Sequence, residues 1–439
     1  MQRMRLVAAG VLATAMALTG CSSGSSSPSA SGSGSSGSSA EKITLNYWTH
    51  VNPPSQTVEK ELIQQYESQN PNVTINYLPV DFGSLPAKLN TAIAGGGGPD
   101  IFNYFQSYAA DLVNKKFLAP VDFSAFGAAD ASAFGALYPK AIVDGYTYGG
   151  TVFGVPHETS TYQFWINKAS FAKAGFDPSK DFPKTWDDVN KVGVKLMSSG
   201  ASKEGIALTL NSSVRDTLVL DSMARQAGGS LFSDDGKTAQ LNSPSAIKAL
   251  GTWGDMVHKT KISDPALGPT ASTNAEDLFA AGTAGMTNVG GSWFVAGLKT
   301  SHPDVYKNYA VGQQPIYPGG PQIGGDLYGF GLFVPATSKY QAEAWKFAGF
   351  LATQGKAYFE GAGIWLGDNA SLAAPFATSF ENWDVFSEGF KRGFFLPPVV
   401  KYNELSKVIE RAIQRVVLEN QSPSDSLNQA QTEAEPLMS

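Results

Sequence analysis

The residues able to do chemistry in this chain are few, and their spacing narrows the choice. The four histidines, His50, His157, His258 and His302, never fall at metal-ligand spacing. No HExxH run or His/Cys cluster occurs. No G-x-S-x-G elbow follows Glu41. Gly95–Gly98 leads into Pro99-Asp100 rather than Lys-Ser/Thr, so it reads as a helix-to-strand turn and not a phosphate cradle. Carboxylates abound, and Glu158 or Asp81 could belong to a glycosidase pair, but sequence alone sets no two of them opposite each other. Arginine is scarce beyond the first residues: Arg215, Arg225, Arg392, Arg411 and Arg415. That weighs against carboxylate or phosphate ligands, which usually meet bidentate guanidinium groups. Aromatic residues make up 11% of the chain, and Trp48, Trp293 and Trp365 fall in expected loops. A flat ring packs on the apolar face of a pyranose and leaves its hydroxyls to polar side chains, so this inventory suits a neutral sugar better than bond-breaking chemistry.

The single cysteine bears on location. Leu6–Leu18 carries no charge, Arg3 and Arg5 precede it, and Ser22–Ala40 is a Ser/Gly tract. This is the layout of a secretory leader too short to span a bilayer. With Cys21 set aside, no thiol remains for a disulfide or a thiolate metal site. The tract should be a flexible tether with a reach of roughly 22–26 Å. The net charge of −6 argues against nucleic acid and anionic membrane surfaces as partners.

The 439 residues, 42% hydrophobic, exceed one ordinary domain. Ile43–Trp48 alternates as a strand, Ser55 should cap a helix bearing Val58, Leu62 and Tyr66, and Val73–Val80 reads as a second strand. This β-α-β start favours a parallel sheet covered by helices. A helix over 85–94 and a buried strand over 101–105 follow. Thr185 with Asp188, and Ser338 with Gln341, are spaced as capping boxes. Ser243-Pro244 and Asn274 should open helices, and 404–418 and 427–437 read as helical.

Several segments in order resemble the extracellular solute-binding proteins of carbohydrate ABC importers, the maltose-binding-protein-like group. They are Gly98-Pro99-Asp100-Ile101 followed by Phe117-Leu118-Ala119-Pro120; Gly154-Val155-Pro156 followed by Trp165-Ile166-Asn167-Lys168 and Pro183-Lys184-Thr185-Trp186; Phe279-Ala280-Ala281-Gly282 ending at Gly291-Ser292-Trp293; and Ile323-Gly324-Gly325. Lys116 stands near a usual glycine, and Ile166 where tyrosine is usual. Leu18-Thr19-Gly20-Cys21 is similar to the lipobox of bacterial lipoproteins, which implies a lipidated Cys21.

The resemblance implies a two-lobed α/β fold of the type II-like periplasmic-binding class, each lobe a mainly parallel sheet flanked by helices, with ligand trapped at a hinge. The expected division is 1–20 leader, 21–40 lipidated tether, 41–158 with 317–365 as the N-terminal lobe, and 159–316 with 366–439 as the C-terminal lobe. It implies no catalysis, cofactor or metal. It further implies a monomer on the outer face of the cell membrane that passes a sugar or oligosaccharide to an ABC permease. Alternatives are a glycerophosphodiester or polyamine receptor, or a secreted glycoside hydrolase. The ligand-binding residues it implies are Trp293 foremost, as a ring platform, then Trp48, His50, Tyr104, Tyr108, Glu158 and Ser160, and less centrally Asp81, Arg215, Asp326 and Trp365. Asp100 is expected to brace a turn rather than meet ligand.

Overall fold

The computed structural model describes residues 41–210, 212–264 and 274–438; Cys21, the leader and the tether lie outside them. Strands of four or more residues are numbered β1–β9 and helices of eight or more α1–α11. The first sheet contains β1 (Ile43–His50), β2 (Val73–Val80), β3 (Ile101–Phe105), β4 (Gly154–Thr161) and β9 (Leu327–Phe333), in the order β2-β1-β3-β9-β4. The second contains β5 (Phe164–Asn167), β6 (Glu204–Ala207), β7 (Ala284–Thr287) and β8 (Tyr309–Gly312), in the order β8-β5-β7-β6.

Each sheet is covered on both faces. Leu45, Tyr47, Ile101 and Leu332 pack under Val58 and Leu62 of α1 (Pro53–Gln69), Phe347 and Leu351 of α7 (Gln341–Ala352) and Tyr358 of α8 (Gly355–Ala362). Phe102 and Tyr104 pack with Leu85, Leu89 and Ile93 of α2 (Leu85–Ala94). In the second lobe Ile166, Ile206 and Met286 share a core with α3 (Trp186–Ser198), α4 (Ser213–Gln226), α5 (Pro244–His258), α10 (Tyr402–Val417) and α11 (Pro423–Ala434). Trp165 and Val311 pack with α6 (Ser292–Ser301) and α9 (Trp383–Arg392). Burying aliphatic and aromatic side chains on both faces is what commits these short strands to central positions.

The mainly parallel expectation holds for β1–β2, β1–β3 and β6–β7. It is corrected elsewhere: β9 runs antiparallel to β3 and β4, and β5 antiparallel to β7 and β8. The reason is connectivity. These strands are the ones by which the chain passes between sheets, so they arrive from the opposite end to the β-α-β strands. One passage runs from β4 to β5, a second from β8 to β9. Near Trp365, whose carbonyl accepts from the Thr159 amide at 2.8 Å, a further segment lies against β4.

Local signals were mixed. Thr185 and Asp188 form a capping box, as do Asn274 and Asp277, and the Ser243 side chain accepts from the Ala246 amide. Ser55 is not a cap: Asn52 precedes α1, Pro53 and Pro54 fill its first turn where no amide is needed, and Ser55 is buried inside it. Ser338 is not a capping box either. Its hydroxyl accepts from the Tyr340 amide and donates to Asp100 at 2.7 Å. Asp100 also accepts from the Asn46 amide at 2.9 Å, so it braces β1 against the approach to α7, as expected.

Candidate functional site

β4 and β9 run side by side, with Glu158 opposite Phe330 and Ser160 opposite Tyr328. Directly opposed residues in an antiparallel pair share a face, so two polar–aromatic pairs sit about 7 Å apart along the strands. At the first pair, the His50 ring, ending β1, stacks on Phe330 with centroids 3.9 Å apart and planes 14° apart. Its Nδ1 meets Asn103 Oδ1 at 2.9 Å, and its Nε2 lies 3.9 Å from Glu158 Oε1. Phe82 and Phe105 meet the Phe330 ring edge-on, at 5.8 and 5.4 Å.

At the second pair, the Trp293 indole N–H donates to the Tyr328 hydroxyl at 2.6 Å, and Tyr328 stacks on Tyr162 at 4.3 Å. A β-carbon on residue 291 would lie 2.8 Å from Trp293 Nε1 and 2.9 Å from the Tyr328 hydroxyl, and against Ser160 Oγ. Only glycine fits where these three polar tips converge. Arg215 pairs with Glu276 at 2.9 Å. Burial acts to discharge the guanidinium, but Glu276 and the Tyr162 phenol outweigh it and hold it charged.

Burial decides the charge state of the first pair. It pushes the Glu158 carboxyl up to about 8, against an opposing hydrogen bond from Asn103. It pulls His50 down and His157 down to about 3. Burial thus disfavours the charged form of both the imidazole and the carboxylic acid, and each neutral group can donate and accept. Beneath them Glu59 of α1 accepts from the Tyr47 and Tyr77 phenols, and burial lifts it to about 7.

A pH prediction follows from these groups. Carboxyls whose folded pKa is raised stabilise the fold at low pH and lose that contribution as pH climbs through the folded value. His157 works oppositely, but its contribution is complete above the ordinary imidazole value of 6.5. Between pH 6.5 and 8.5, Glu59 and Glu158 must ionise in the fold while the unfolded chain is already ionised. The unfolding free energy from urea titration should fall across this window, by up to about 1.4 kcal/mol per pH unit and per group. Asp216 and Glu204, both lifted to about 7 by burial, act with the same sign. Glu59→Gln should shallow the fall; a flat wild-type profile would mean that these acids are ionised in the fold.

The structure thus brings His50, Glu158, Ser160 and Trp293 to one pair of strands, with Arg215 beside them. The other expected residues fall elsewhere. The partly exposed Trp48 ring has Lys88 Nζ over it, 4.8 Å from its centre, so one ring face is taken. Asp81 is exposed and accepts from the Ser84 amide, so its carboxylate is spent on a turn rather than in an acid pair. Tyr104 and Tyr108 line a separate cavity of about 330 Å³ with Asp111, Lys115, Lys401 and Glu404. Asp326 is fully buried, bonded to Ser222, and raised by burial and by Asp221. Trp365 is a core residue, wholly buried among Phe359, Phe380, Trp383, Phe386 and Phe390. Sequence reasoning missed Phe330, Tyr328, Tyr162, Asn103 and Phe82. The signal was present in Leu327-Tyr328-Gly329-Phe330-Gly331, where aromatics alternating with glycines mark a strand with one ring-bearing face.

Residues 52–358 match the model of the bacterial extracellular solute-binding protein family. The chain is 25% identical over 332 residues to the arabinooligosaccharide-binding protein of Bacillus subtilis, covering 72% of each. It superposes on the GacH receptor of Streptomyces glaucescens, solved unliganded and with acarbose, at a TM-score of 0.77 and 21% identity, covering 90% of this chain and 98% of that one. It superposes equally on UgpB of Mycobacterium tuberculosis in complex with glycerophosphocholine, at a TM-score of 0.77 and 17% identity, covering 90% and 98%. The two-lobed architecture is therefore that of solute-binding proteins, and the chain belongs to the bacterial extracellular solute-binding protein family.

Proposed function

We propose that this protein captures a neutral sugar or oligosaccharide between its lobes and delivers it to the permease of an ABC importer. The observation that carries the reading is the buried polar pair His50–Glu158 on the same strand face as the Tyr328–Trp293 ring pair. Uncharged donors and acceptors match sugar hydroxyls, and ring faces match the apolar side of a pyranose. The glycerophosphodiester alternative, which the UgpB likeness keeps in view, calls for a free cation. Arg215 is instead already paired with Glu276. A polyamine would favour ionised carboxylates, whereas burial disfavours the ionised form of Glu158. Capture requires no catalysis.

The same reading places a leader at 1–20, an acylated Cys21 and a tether to residue 40, holding a monomeric receptor at the outer face of the membrane. The proposed lobes are 41–158 with 317–365 and 159–316 with 366–439, except that β4 carries the first sheet on to Thr161, and no described helix is long and apolar enough to cross a membrane. Intact mass of membrane-extracted protein tests the anchor; a mass equal to the bare peptide from Cys21 refutes it. The function is tested by thermal shift against glucose, arabinose, maltotriose, arabinotriose, glycerophosphocholine and spermidine. A ligand raises the melting temperature in proportion to the logarithm of its excess over Kd. At least one sugar should do so; a response to glycerophosphocholine or spermidine alone overturns the sugar reading.

A further inference from the structure

We propose that Tyr328 is a positioning residue that fixes the plane of the Trp293 ring from the strand that crosses between the lobes; its functional meaning rests on the reading of Trp293 as a sugar platform. Trp293 lies in the first turn of α6, in the second lobe, whereas Tyr328 belongs to β9 of the first sheet. The indole N–H, the one polar atom of the ring, is spent on the Tyr328 hydroxyl at 2.6 Å. Tyr328 is held in turn. Its ring stacks on Tyr162 at 4.3 Å with planes 27° apart, and its backbone is paired with Ser160 in β4.

The backbone end of Trp293 is gripped as well. The neighbouring Ser292 hydroxyl donates to the Gly363 carbonyl at 2.7 Å, and Gly363, at φ +68°, presents its bare Cα where a β-carbon would lie 3.0 Å from Trp293 Cα. Residue 363 immediately precedes the segment whose Trp365 carbonyl bonds to β4. The indole N–H and the backbone beside it are therefore both tied to chain outside α6, the one to β9 and the other to the segment that follows α8. Two consequences follow for ligand. The indole offers ring face rather than a hydrogen bond. Its side-chain rotation is already restricted, so stacking a sugar costs less ordering entropy.

The test is Tyr328→Phe, which keeps the stack on Tyr162 and deletes only the acceptor. The first readout needs no ligand. The indole ¹H–¹⁵N resonance of Trp293, assigned by its loss in Trp293→Phe, should move, and its hydrogen exchange should accelerate by about three- to tenfold. An unmoved resonance with unchanged exchange overturns the proposal. The second readout is the Kd of glucose, arabinose, maltotriose or arabinotriose, whichever the wild type binds best. Tyr328→Phe should weaken it about three- to tenfold, and should have no further effect in a Trp293→Phe background. Equal losses in both backgrounds would mean that Tyr328 acts without Trp293, which also overturns the proposal. If the wild type binds no sugar of the panel, the platform reading falls, and the indole resonance decides the tether by the same two outcomes.

Discussion

Trp293→Ala is expected to weaken sugar binding by about 30- to 700-fold while the melting temperature falls by only a few degrees. The size follows from what a stacked aromatic anchor is worth when truncated, about 2–4 kcal/mol, at 1.4 kcal/mol per tenfold. The small stability cost follows from place. Trp293 is only partly buried, at the edge of its core, and its hydrogen-bond partner Tyr328 is itself only partly buried. Titration calorimetry of wild type and variant with the best sugar of the panel checks the first half, and a thermal melt the second. Undiminished affinity would remove Trp293 from the site. Retained affinity in Trp293→Phe with loss in Trp293→Ala would identify the ring, not the indole N–H, as the contact.

Trp365→Ala is expected to do the reverse. The side chain is 0% exposed, with Phe359 stacked on it at 5.3 Å and Phe380, Trp383, Phe386 and Phe390 around it at 5.3–5.7 Å. Truncating a buried tryptophan costs about 3–5 kcal/mol, because so many rings lose a neighbour and cannot close the gap. The Trp365 carbonyl, which the substitution leaves in place, still accepts from Thr159 of β4. Urea denaturation should show the midpoint fall at nearly unchanged slope. The fraction that remains folded should bind sugar with wild-type affinity. A folded variant of normal stability that had lost binding would return Trp365 to the site.

These two tryptophans show what could be read before the structure was seen. Both lie near glycines, and no sequence pattern tells a platform from a core ring, because that depends on how α9 folds its rings back over Trp365. The opening β-α-β unit was legible from strand alternation and breakers, which are local properties. Asp100 was legible as a brace because a carboxylate at a strand entry beside a glycine turn has backbone donors at hand. Asp326 and Asp81 were not. One is buried through pairing with Ser222 on a distant helix, and the other is exposed at a turn after β2. Phe330 and Tyr328 acquire meaning only through the register of β9 against β4, a long-range fact.

That register has a consequence for how the chain comes into being. The first three strands emerge early from the ribosome, but β3 finds its other neighbour only when β9 arrives, more than about 200 residues later, as in the Tyr104–Gly331 pairing. A sheet that must wait for so distant a partner folds slowly, since loop closure precedes any reward from contact.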